Sequence, residues 1–189
     1  MVSLLEGVDL KGRKVCLMFQ DEARFGRMVR LRRCWSPAPL RPVVQNGYQR
    51  QYTYVYGAVN PQDGVFDWML APHMNTDTMD LFLSRVSLAH PDWFILMVVD
   101  GASSHVSKAL SVPENIRLLP LPPYSPELNP CENVWDLLRE RLFPNRVYNC
   151  MEEVVLQLKE GIPKFAENSE RLKSLTGRTW IIDAIPKAS

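Results

Sequence analysis

Residues 93–99 read WFILMVV, an apolar run with no polar interruption, and this run limits the fold more than any other stretch of the chain. A strand with one wet face alternates apolar and polar residues, so an unbroken run belongs to a strand covered on both faces. Ahead of it Met79, Phe82, Leu83 and Val86 recur at helical spacing, Asn75 or Thr76 can cap the start, and His90-Pro91 stops the helix. A helix followed by a buried strand is the order of a parallel crossover, and it predicts an α/β layered domain.

The rest of the chain fits that frame. Residues 14–20 form a short apolar strand, and residues 28–35 read as a second strand reached through a turn around DEARFG. SPAPLRPVVQNG is an irregular connection, YTYVYGAVN a further strand, and Pro61-Gln62-Asp63-Gly64 a hairpin turn into VFDWMLAPH. A brief helix fits SSHVSKAL, and a short strand fits residues 116–121. A helix from about Leu128 carries Val134, Leu137, Leu138 and Leu142, and a last amphipathic helix covers residues 151–165. We expect a mixed sheet with helices on both faces over residues 1–145, and a C-terminal helical extension, 146–189, packed on the same domain.

Composition excludes more than it selects. At 189 residues and 46% hydrophobic the chain can bury one full core. The formal charge of +1 does not by itself point to nucleic acid, yet Arg24, Arg27, Arg30, Arg32, Arg33, Arg41 and Arg50 crowd one stretch while acids gather near the C-terminus. Cys16, Cys34, Cys131 and Cys150 lie far apart without a C-x-x-C pair, which argues against structural zinc. No run approaches the roughly 18 apolar residues of a membrane span, and the start lacks a signal peptide, so a cytoplasmic protein with reduced thiols is expected.

Three acids stand at the ends of three elements: Asp21 after KVCLMFQ, Asp100 after WFILMVV, and Glu132 within PPYSPELNPCENVW. Strand-end carboxylates reach the sheet edge from a rigid base, and convergent hard oxygen donors suit magnesium, which keeps several waters and takes phosphate oxygens. Each acid also has an ordinary use. Asp21, beside Glu22, fits a solvated turn, Asp100 an N-cap, and Glu132 a first helical turn. Helical geometry places Glu132 on one side with Asn129, Trp135 and Asp136, and Asn129 there is a candidate contact to nucleic acid. His105 can orient a ligand, contact the scissile phosphate, or serve the core. Arg24, Arg30 and Arg32 can track phosphates, and Trp35 and Tyr124 can stack on bases, although alternating arginines also describe a plain exposed face. Neither phosphate-binding glycine loop nor G-x-S-x-G elbow occurs.

The segments FQDEARFG, VVDGASSH and PPYSPELNPCENVWDLLR, in this order, resemble the three catalytic blocks of D-D-E transposases, in particular the mariner-type superfamily and its bacterial insertion-sequence branch. RRCWSP resembles that family's hairpin with an arginine-tryptophan pair. The resemblance spans about residues 14–141 and implies an RNase H-like fold of about five strands, with Asp21 on the first strand, Asp100 on the fourth and Glu132 on the helix after the fifth. It implies two magnesium or manganese ions held by these acids, DNA as substrate at transposon ends and target, cleavage then strand transfer, and a homodimer or synaptic assembly. Two departures stand out: only 31 residues separate Asp100 from Glu132, and Gly101 stands where asparagine is common. No helix-turn-helix candidate is legible, so weak DNA binding by this chain, and dependence on a separate recognition module or a full-length transposase, are expected. A structure-selective nuclease, or a non-catalytic remnant acting through a full-length transposase, are the alternatives.

Overall fold

The computed structural model describes residues 5, 9–28, 33, 35–43, 49–101 and 110–184. Among these, β1 (Lys14–Gly26), β2 (Tyr52–Asn60), β3 (Val65–Ala71), β4 (Trp93–Val99) and β5 (Ile116–Pro120) form one sheet in the order β3-β2-β1-β4-β5. The β1-β2-β3 side is antiparallel, and β4 and β5 run parallel to β1. The helices are α1 (Thr76–Ala89), α2 (Cys131–Leu142), α3 (Met151–Ala166), α4 (Ser169–Thr176) and α5 (Thr179–Ala184), with a 3-10 turn at Pro126–Leu128.

Local chemistry accounts for the joints. The Asn60 side chain accepts from the Gln62 and Asp63 backbone N–H groups at 2.9 and 3.1 Å. Gly64 supplies φ 67°, so the β2–β3 hairpin closes as the turn residues predict. Asn75 caps α1 by accepting from Thr78 N–H at 2.9 Å. At its other end His90 stacks on Trp93 at 4.1 Å and meets Asp67 at 2.8 Å, which makes this histidine structural.

The buried run of β4 is covered on both faces, as its composition requires. On one side Met18, Tyr56, Ile95 and Met97 pack under α1 through Met79, Phe82, Leu83 and Val86. On the other, Leu17, Phe19, Leu96 and Val98 pack under α2 and α3 through Val134, Trp135, Leu138, Val154, Leu158 and Ile162. Leu172 of α4 and Ile181 of α5 join that second core.

The expected turn around DEARFG is not there. β1 runs straight through it to Gly26, paired with β2 from Phe19↔Val59 to Gly26↔Tyr52. The alternation explains this: Ala23 and Phe25 are buried while Arg24 is exposed, so the segment still reads as a half-buried strand. Of the second strand expected at 28–35, residues 29–32 and 34 lie outside the described residues, as do residues 103–109 of the brief helix expected at SSHVSKAL. Among the described residues no helix is long and apolar enough to cross a membrane.

Candidate active site

β1 outlasts its parallel neighbour. Pairing with β4 ends at Phe19↔Val98, and two residues further along each chain stand Asp21 and Asp100. Equal offsets from a register pair place both acids on one face of the sheet. That face is the α2 face, where Asp21 follows Leu17 and Phe19.

Ties between distant segments bring the third acid there. Asn129 is buried; its Nδ2 donates to the Gln20 carbonyl at 3.0 Å and its Oδ1 accepts from Cys131 N–H at 3.1 Å. The Cys131 thiol donates to the Phe19 carbonyl at 2.8 Å. Pro130, at the N-cap position of α2, has no capping side chain, so Asn129 satisfies one of the orphan donors of that helix end. The first turn of α2 is thereby fixed to β1 beside Asp21, and Glu132 sits in that turn.

Asp21, Asp100 and Glu132 line one cleft of about 470 Å³ together with Gly101, Tyr124 and Asn129. Trp135 Nε1 donates to Asp21 Oδ2 at 2.8 Å. The indole is buried against the edges of Phe25 and Phe66, and glycine at position 57 makes room for it, since a Cβ there would run into the ring. Burial, and then the charge of Glu132, push the Asp21 carboxyl up to about 7, while the Trp135 hydrogen bond pulls the other way. Two carboxylates that repel each other, one of them desolvated, form a site that a cation relieves. No three of the described His, Cys, Asp and Glu side chains gather tightly enough to hold an ion by themselves. The acids are donors spread around the cleft wall, and the remaining positions fall to water or substrate oxygens. An all-oxygen donor set of this kind fits magnesium or manganese.

The other expected site residues scatter. Tyr124 stands fully exposed on the cleft rim with φ 59°, a backbone region that side chains other than glycine seldom adopt. Arg24 is exposed on β1 with its guanidinium over Tyr52, and Trp35 is fully exposed. Arg30, Arg32 and His105 lie outside the described residues. Asn129, expected as a DNA contact, is buried with its amide engaged by the Gln20 carbonyl and the Cys131 N–H, which gives it a positioning role. Asp136, placed beside Glu132 by helical geometry, is largely exposed and pairs with Arg139 at 3.6 Å. The hydrogen bonds of Trp135 and Cys131 are not legible in the sequence, since each depends on a partner more than a hundred residues away.

The family described as DDE superfamily endonuclease matches residues 16–172. An uncharacterized protein of Sinorhizobium fredii (strain NBRC 101917 / NGR234), y4pE/y4sA, is 32% identical over 130 residues, covering 68% of this chain and 96% of that one. Among solved structures, the Mos1 strand transfer complex aligns with TM-score 0.63 at 14% identity, over 93% of this chain and 54% of that chain. The Mos1 mariner paired end complexes with Mn and with Mg each give TM-score 0.59, at 12% and 15% identity, over 99% of this chain and 60% of theirs. The chain thus spans little more than half the length of those proteins, and the mixed sheet with its flanking helices is the RNase H-like fold they share.

Proposed function

Because the chain belongs to the DDE superfamily of endonucleases, we propose that it is the catalytic part of a transposase that cuts DNA at transposon ends and joins them to a target, with Asp21, Asp100 and Glu132 as its acids. The convergence of these three carboxylates, from β1, the end of β4 and the first turn of α2, on one cleft carries this reading. The Mos1 complexes with Mn and Mg support a divalent metal, here two magnesium or manganese ions, and paired DNA ends as partner. Such ions supply charge neutralisation at the scissile phosphate and activation of water or a 3′-hydroxyl.

The chain's own part is positioning. Trp135 holds one oxygen of Asp21, whose carboxyl lines the cleft. Asn129 and Cys131 hold α2 against β1, so that Glu132 faces Asp21 at fixed height. Tyr124 on the rim, with Arg24, Arg30, Arg32, Trp35 and His105, are proposed contacts to DNA. Residues 1–145 are the catalytic unit in this reading, and 146–189 an extension of it. A second copy and a terminal-repeat recognition module complete the working assembly, which acts on DNA in the cytoplasm.

The test is manganese binding by calorimetry, then nicking of supercoiled plasmid, for the wild type and Asp100→Ala. Binding and nicking lost together in a folded variant support the reading, and joining of a pre-cut end to plasmid separates transposase from nuclease. A folded wild type that neither binds manganese nor nicks would sink it.

A further inference from the structure

Past the acids, the edge of β1 that β4 no longer covers leads into a second cleft of about 450 Å³. Its lining includes Arg24, Arg139 and Arg146, with Glu22 the one acid among the described residues there. Each guanidinium lies on an aromatic ring: Arg24 over Tyr52 at 5.0 Å, Arg139 over Phe25 at 5.5 Å, and Arg146 over Tyr148 at 4.9 Å. A ring beneath a guanidinium restricts its plane while leaving its N–H edges able to donate. Phe25 and Tyr148 are buried, so this cleft offers oriented cations and few faces on which a base could stack. The Arg139–Asp136 pair, 3.6 Å apart with the aspartate side chain 70% exposed, is the kind that salt and a competing phosphate displace at little cost.

Distances along the elements set the scale. Strand rise puts Arg24 about 10 Å beyond Asp21, and helical rise puts Arg139 about 10 Å beyond Glu132. The two arginines therefore stand equally far along their elements, about three nucleotides at about 3.4 Å each; Arg24, an odd number of residues from Asp21, projects from the other face of β1 and meets Arg139 in the cleft at the strand's open edge. We propose that Arg24, Arg139 and Arg146 form a track for the phosphodiester backbone of the DNA strand held at the acids, gripping it about three nucleotides from the cut without reading its sequence. The placement of the cut rests on the function proposed above; the phosphate track does not need it.

The experiment is fluorescence anisotropy in EDTA with two unrelated labelled duplexes, using the full chain and Arg24→Gln, Arg139→Gln and Arg146→Gln, singly and combined. Each arginine replaced should weaken binding about five- to tenfold near 0.1 M salt and reduce the slope of log affinity against log salt by about 1, equally on both duplexes. Unchanged affinity and slope in the combined variant, or weakening on one duplex alone, would overturn the track. Should the combined variant fail to fold by circular dichroism, the single changes at exposed Arg24 and Arg146 decide by the same criteria. Plasmid nicking by the wild type with manganese, measured beside the anisotropy series, separates the two ideas. Arginine-dependent binding without nicking leaves the track standing and removes the proposed function, while metal-dependent nicking with arginine-independent binding does the reverse.

Discussion

Asp21→Asn should make the metal-free protein more stable at pH 8, and the size of the effect follows from the site. The carboxyl is moved from its ordinary 3.8 to about 7 by burial and by Glu132. The folded state therefore holds this proton more tightly than the unfolded chain does. That stabilisation is complete below about pH 3.8 and is lost as pH rises through about 7, by about 4 kcal/mol in all. Between pH 5 and pH 8 the part lost is about 2–3 kcal/mol. Asparagine keeps an oxygen for the Trp135 N–H and carries no charge, so the variant escapes this loss. Urea unfolding in EDTA at both pH values measures it, as the change in the stability gap between wild type and variant. Saturating manganese at pH 8 should restore the wild type, by about 2.7 kcal/mol at a hundred times the dissociation constant, and leave the variant unmoved. If both proteins lose equal stability from pH 5 to pH 8 without metal, the buried, repelled carboxylate is not what the site contains.

Further outcomes follow from other interactions. Below pH 7 manganese must displace the Asp21 proton, so its affinity should fall as pH is lowered from 7 to 5, by up to about tenfold per pH step, in calorimetry at several pH values. Trp135→Phe keeps most of the ring but removes the donor to Asp21; manganese affinity or nicking should drop about 10–100-fold while circular dichroism stays native. Gly57→Ala drives a methyl into the Trp135 ring and should cost about 1–3 kcal/mol in urea unfolding. Tyr124→Gly suits φ 59° and should leave stability within about 1 kcal/mol, while plasmid nicking weakens because the ring no longer stands at the rim.

The parts of the fold that the sequence discloses are those whose signal is local. The unbroken run of β4, the Asn75 cap of α1 and the Asn60–Gly64 turn need no distant partner to be read. β1 reads short because Asp21-Glu22 and Gly26 imitate a turn, although Ala23 and Phe25 continue its alternation and β2 holds it extended. α4 and α5, at 8 and 6 residues, are too short for periodicity to declare them; burial of Leu172, Thr176 and Ile181 under the sheet makes them helices. In the site, the three acids can be picked out by chain position. Their supports cannot, because Trp135, Cys131 and Asn129 resemble ordinary core and cap residues until the fold brings β1 beside them.

The two carbonyls of Phe19 and Gln20 that receive Cys131 and Asn129 bear on how such a chain can change over time. Asp100 is placed by the β1–β4 register and Glu132 by the bonds of Asn129 and Cys131 to β1, so it is these contacts, and not the number of residues between the two acids, that set their positions. Sequence spacing between these two acids is therefore a poor guide to whether they meet in one cleft, since two backbone carbonyls of β1 fix what the connecting length does not.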